Sequence, residues 1–268
     1  MKNQRFSKLA VALLLLLCCA VSAWAKGTAN VKNTIHNLSS SQTNPLYSMY
    51  QSDESEICIF CHTPHGGVLT GPLWNRSLAT GPWTHYNSAT LSTYMQGLSA
   101  TRAVNDESLL CMACHDGSIS VMHLLNPSNT LGRNPESQFT FNDDVKIVPL
   151  FDGSPGAKIG GVRGNAGAFG DLTDDHPISF SYDQVLGSTE YLAGGAKENQ
   201  LRIVGTTVNP ASALGWQGEG VRFFGTDNRV ECSSCHDPHV DYVTDATYTP
   251  FLIRPNSGSN LCLSCHNK

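Results

Sequence analysis

The sequence predicts a mostly irregular coil, with short helices and a small amount of β-hairpin, packed as one unit around something other than its own apolar side chains. Three observations carry that expectation. The pattern C-x-x-C-H occurs four times, as Cys58-Ile-Phe-Cys61-His62, Cys111-Met-Ala-Cys114-His115, Cys232-Ser-Ser-Cys235-His236 and Cys262-Leu-Ser-Cys265-His266. The chain around these motifs is rich in Gly, Ser, Asn and Thr, and only 40% of its 268 residues are hydrophobic. Such a composition supplies little for an ordinary core. Ten histidines are present, six more than the four motifs use.

C-x-x-C-H is the attachment signature of c-type haem. Two thiols so spaced add to the two vinyl groups of one porphyrin, and the histidine that follows reaches the iron as its proximal ligand. Zinc ribbons and disulfides are the competing readings. A ribbon needs two C-x-x-C pairs per metal and has no use for a histidine after each, and four small disulfide loops would do little to staple so long a chain. Outside residues 1–25 the motif cysteines are the only ones. The reading is therefore four covalently bound haem c groups. Their attachment residues are Cys58, Cys61, Cys111, Cys114, Cys232, Cys235, Cys262 and Cys265, and the proximal iron ligands are His62, His115, His236 and His266. Each porphyrin is a large apolar plate on which short segments collapse, so the haems are much of the expected core.

Residues 1–25 read as an export signal, leaving residues 26–268 as one tetrahaem cytochrome c domain. Lys2, Arg5 and Lys8 form a basic start, residues 9–20 an apolar stretch, and Ala23-Trp24-Ala25 a small-x-small cleavage site. The alternatives are an uncleaved anchor, near the lower length limit for a span, and a lipoprotein at Cys18 or Cys19, which lacks the small preceding residue. Export suits covalent haem and expects a periplasmic, outer-surface or extracellular protein. No other segment is apolar enough to span a bilayer. Losing the signal removes three basic residues and no acidic one, taking the formal charge from −5 to −8. That excludes attraction to nucleic acid or anionic lipid.

Residues 107–115 have helical spacing, with Leu109, Leu110 and Cys114 on one side, Asn105 or Asp106 as cap, and Asp116-Gly117 as the stop. The long interval between the second and third motifs contains a glycine-rich loop at residues 153–170. Its Gly160-Gly-Val-Arg-Gly164 lacks the strand and helix of a phosphate loop, and Asp143, Asp144, Asp171, Asp174 and Asp175 lack calcium-loop spacing. Residues 221–224 and 229–231 read as a hairpin with a four-residue turn leading into the third motif. The fourth motif is expected on a short helix starting near Ser259.

The histidine surplus decides the chemistry. His36, His65, His85, His123, His176 and His239 are enough to give each of four irons a second imidazole, and a six-coordinate iron passes electrons without binding substrate. His65 and His239 are the best distal ligands. Each follows its motif as C-H-x-P-H, too close to swing round its own haem but able to reach a neighbour. His36 and His176 come next, because both lie in haem-free stretches; Asp174 or Asp175 would hydrogen-bond the second nitrogen of His176 as an outer-shell partner. His85 and His123 read as packing or surface histidines. Ligation by Met49, Met95, Met112 or Met122 is unneeded and would raise that haem's potential.

The two C-H-x-P-H motifs, Ile35-His-Asn-Leu-Ser39, Leu110-Cys-x-x-Cys-His-Asp-Gly117, His176-Pro-Ile-Ser-Phe180 and Val230-Glu-Cys-Ser-Ser-Cys235 together resemble exported multihaem c-type cytochromes of metal-respiring bacteria. Within that group the chain is similar to the outer-surface tetrahaem cytochromes that polymerise into haem-lined filaments (the OmcE type). The resemblance implies bis-histidine iron throughout, with His36, His65, His176 and His239 distal. It also implies subunits joined end to end, with one iron completed by a histidine of the next subunit. The expected function is one-electron transfer along closely spaced haems toward extracellular acceptors, other cytochromes or redox proteins, not enzymatic turnover. Two rival readings are a multihaem reductase with one open haem, and a membrane-anchored quinol oxidase using residues 9–25.

Overall fold

The computed structural model describes residues 29–48, 51–68, 73–115, 124–126, 171–202 and 221–267. Residues 1–25, read above as an export signal, and Met49, Met122, His123, Asp116-Gly117, Asp143, Asp144 and the glycine-rich loop lie outside the described residues.

Regular structure is sparse and short. Helices α1 (Thr93–Gly97), α2 (Asp106–His115) and α3 (Tyr182–Leu186) and two-residue strands β1 (Thr84–His85), β2 (Asp171–Leu172), β3 (Phe180–Ser181) and β4 (Arg229–Val230) are joined by coil and 3₁₀ turns. Serine caps start two of the helices: Ser92 Oγ accepts from Met95 N–H at 3.2 Å, and Ser181 Oγ from Gln184 N–H at 3.2 Å. β1 pairs with β2 in parallel and β3 with β4 antiparallel.

Four features depart in detail from what the sequence predicts. The turn at residues 225–228 forms, with Gly225 at φ +69° and Asn228 at +51°, and Phe224 and Arg229 exchange both backbone hydrogen bonds, at 3.0 and 2.7 Å. Among the described residues the hairpin is limited to this one bridge, and on its other edge β4 pairs with Phe180 and Ser181. On α2 the deepest positions are Ser108, Met112 and Ala113, all at 0% exposure, while Leu109, Leu110 and Cys114 are half-buried. Asn105 does not cap this helix with its side chain, which reaches Glu231 instead. The fourth motif sits on 3₁₀ turns, Ser257–Ser259 and Cys262–Ser264, and Gly258 at φ +62° breaks any longer helix.

Among the described residues the buried apolar side chains form three small clusters, not one contiguous core. Phe60 and Leu124 pack beside the first motif. Ala79, Trp83, Val104, Met112 and Leu172 surround the second. Met95, Phe180, Tyr182, Val185, Val221, Val230 and Ile253 enclose the side of Cys265.

His85 is buried on β1 with Nε2 3.1 Å from the Arg102 carbonyl. Burial, reinforced by the Arg102 guanidinium, pushes it down to about 4 from 6.5. The unfolded chain therefore binds more protons between those values. Stability is full above pH 6.5 and is lost as pH falls through the window, by up to about 3 kcal/mol. Thermal melts of wild type and His85→Gln across pH 4–7 check this; the variant should lose much of that pH dependence.

Candidate functional site

All four motifs fold into one turn, which follows from their spacing. At i, i+3 and i+4 the two cysteines and the histidine share a helical face. In the first motif the Cys58 carbonyl accepts from Cys61 N–H at 3.1 Å and His62 N–H at 2.8 Å. The third repeats this from the Cys232 carbonyl at 3.2 and 3.0 Å, and the fourth from Cys262 at 3.2 and 2.9 Å. The second is the C-terminal end of α2.

A strap then crosses three of these turns. Thr63 N–H donates to Leu73 O at 2.8 Å and Asn75 N–H to Cys61 O at 2.9 Å. Asp237 and Ile253 make the same pair of bonds with Phe251 O and Cys235 O, at 2.8 and 2.9 Å. For the fourth motif, Asn267 donates to Gln200 O and Arg202 to Cys265 O, both at 2.8 Å. Leu73 and Phe251 hold equivalent places and both have positive φ, +55° and +57°, a conformation that costs free energy in a non-glycine residue.

That equivalence exposes an internal repeat. Pro72-Leu-Trp-Asn-Arg76 matches Pro250-Phe-Leu-Ile-Arg254, and both arginines are buried. Around them, His36-Asn-Leu-Ser39 matches His176-Pro-Ile-Ser179, the two C-x-x-C-H-x-P-H segments match, and Leu110-Cys-x-x-Cys-His115 matches Leu261-Cys-x-x-Cys-His266. The chain is thus two tandem units, residues 36–115 and 176–266. The repeat is legible in the sequence once the segments flanking the motifs are set side by side.

Imidazoles face one another in the same order in both units. His36 lies 6.1 Å from His115, centroid to centroid, with 71° between ring planes. His176 lies 6.4 Å from His266 at 76°. Between the units, His239 lies 6.2 Å from His62 at 12°. A metal–imidazole bond is about 2 Å, so two bonds plus two ring radii come to about 6 Å, and each pair has room for one iron between its rings.

The second ring nitrogens support that use. His236 Nδ1 is 2.9 Å from the Pro250 carbonyl, His176 Nδ1 2.8 Å from Pro177 O, and His239 Nδ1 2.9 Å from Asp237 Oδ1; His36 bonds the Pro238 backbone. Such a bond fixes the ring and leaves the other nitrogen for a metal. The partner of His176 is thus its neighbour's carbonyl, not Asp174 or Asp175. Burial and the nearby His115 push His36 down to about 4, which keeps it in the neutral, ligating form. The hydrogen bond that His239 donates to the Asp237 carboxylate raises the His239 pKa. Asp237, also bridged to Arg222 at 2.8 Å, was missed in the sequence although it stands two residues away.

His65 and His236 are exposed, and among the described residues neither faces another imidazole. Among the described residues no three His, Cys, Asp or Glu side chains gather at one point. A porphyrin supplies four of iron's six ligands, so facing pairs are what haem asks of a protein. The cysteines neighbour one another in chain order, Cys61 with Cys114, Cys111 with Cys232, and Cys235 with Cys262. Burial pushes the thiols of Cys61 and Cys265 up to about 12 and that of Cys235 to about 11.

No protein-family model matches this chain, and no curated protein matches it. Among the described residues no helix is long and apolar enough to cross a membrane.

Proposed function

We propose that this chain is an exported tetrahaem c-type electron carrier, with closed bis-histidine irons at His62/His239, His115/His36 and His266/His176. The observation that carries the proposal is the facing of three motif imidazoles by three non-motif imidazoles at 6.1–6.4 Å. Haem iron, when bound, supplies a one-electron ferric–ferrous couple. The chain's residues would hold three of the irons on two sides, fix ring orientation through carbonyl and carboxylate partners, and set the attachment edges in the order of the motifs. Transfer toward other redox proteins or extracellular acceptors follows from closed irons and from export.

The repeat supports a head-to-tail filament. His239, the C-H-x-P-H histidine of the second unit, faces the first-motif histidine of the first unit. By the same register His65 of one copy would face His236 of another, and these are the two residues left over. Contacts of this kind that do not close give filaments. The second reading, a reductase, rests on the same residue: a His236 iron without a partner would be open.

Low-temperature electron paramagnetic resonance of the fully oxidised protein separates these, with haem counted by intact mass. The expected result is four haems, all low-spin, in assemblies visible by electron microscopy. Four haems with one high-spin ferric signal would make the enzyme reading lead, and fewer than four would sink both.

A further inference from the structure

The buried carboxylate of Glu231 has no part in ligation or attachment, yet it stands where the two units meet. We infer that Glu231 is the positioning residue of the junction between the second and third haems, and that its negative charge lowers the potentials of those two relative to the others. This rests on the haem reading above.

Glu231 is 1% exposed. Its Oε1 accepts from Asn105 Nδ2 at 2.8 Å, and its Oε2 from Ser108 Oγ at 2.6 Å and Ser179 Oγ at 2.9 Å. Ser108 also accepts from Cys232 N–H at 3.0 Å, and Asn105 N–H donates to Ser179 Oγ at 3.0 Å. One carboxylate therefore ties three segments: the first turn of α2, which ends in the second motif; the segment after His176; and the residue preceding the third motif. Immediately beyond it the side chains of Cys111 and Cys232 lie close enough to interact, which would bring the attachment edges of the two central haems close together.

Burying a charge is costly unless it is bonded and paired. Here the three donors are neutral and Arg229 Nε stands at 3.6 Å. Arg102 also feels the carboxylate, while Glu107 repels it. Burial pushes the Glu231 carboxyl up, while the hydrogen bonds from Ser108, Asn105 and Ser179 pull it back down; the electrostatic role rests on the charged form that these donors favour. Negative charge beside a haem stabilises the ferric form and lowers the potential. The repeat adds a contrast: the position equivalent to Glu231, one residue before the first motif, is Ile57, so the device belongs to the junction inside the chain.

The test uses the full-length holoprotein and Glu231→Gln, which keeps the shape and removes the charge. Haem is counted by intact mass, spin state by paramagnetic resonance, and potentials by optical redox titration. The expected result is four low-spin haems with two of the four potentials raised. The reduced-to-oxidised ratio of those two at a fixed potential should rise at least threefold, about 28 mV given 59 mV per tenfold for one electron. Glu231→Asp should restore wild-type potentials at least in part. Potentials superimposable on wild type, or a uniform shift of all four, would overturn the inference while leaving the haem reading intact. A wild-type protein without haem would instead fail the reading on which it rests.

Discussion

Replacing His239 with alanine is expected to turn one of the low-spin irons high-spin and leave the rest unchanged. The ring of His239 faces His62 at 6.2 Å, from the other half of the repeat, and Asp237 holds it in place. On the proposed reading, alanine would remove one of six ligands from a single iron. The other facing pairs, His36/His115 and His176/His266, share no residue with it. Asp237 keeps its ion pair with Arg222, so the local backbone has an anchor without the imidazole. The low-spin resonance should lose one iron by integration, a high-spin ferric signal should appear, and added imidazole should reverse both changes. His85→Ala serves as the control and should leave every iron low-spin. An unchanged spectrum from His239→Ala would exclude it as a ligand.

A second large effect is expected when the chain is made without covalent haem. Such protein should show no cooperative thermal transition by far-ultraviolet dichroism and should bind a hydrophobic dye strongly. The longest helix among the described residues is α2, with 10 residues, short of the roughly 12–15 that an isolated helix needs to be even marginal in water. The named strands have two residues each. Apolar burial is divided among three clusters, one of them built on only Phe60 and Leu124. Elements of this size depend on tertiary packing, and most of that packing is here assigned to porphyrin. A sharp melt from the haem-free chain would show that the polypeptide carries its own core.

What could be read in advance follows the range of each interaction. The C-x-x-C-H turns and α2 are local, decided within about five residues by spacing and hydrogen bonding, and they were legible. His36, His176 and His239 were legible as ligand candidates from their surplus, but their pairing was not, because it depends on which turn is strapped to which segment. Those straps are backbone bonds between residues such as Asp237 and Phe251 and carry almost no residue-type signal. The turn at Gly225 was read correctly, whereas the far side of β4 was not. Its pairing with Phe180 is a tertiary preference over a distance of 50 residues between Phe180 and Val230. The glutamate before Cys232 looked like part of a motif; only burial against Ser108 and Ser179 makes it a junction.

The angles between facing rings have a consequence of their own. An imidazole donates π-density into whichever iron d orbital lies perpendicular to its plane. When both rings are nearly coplanar, as His62 and His239 are at 12°, they act on the same orbital and split the two dπ levels apart. When they stand nearly crossed, as at 71° for His36/His115 and 76° for His176/His266, each acts on a different orbital and the levels stay close to degenerate. Chemically identical ligand sets would thus give irons with different magnetic axes and different frontier-orbital orientations. An electron moving along this chain would pass between centres whose acceptor orbitals are turned with respect to one another, and the orientation is set by ring-fixing contacts as small as the stacking of Phe251 on His36 at 4.3 Å.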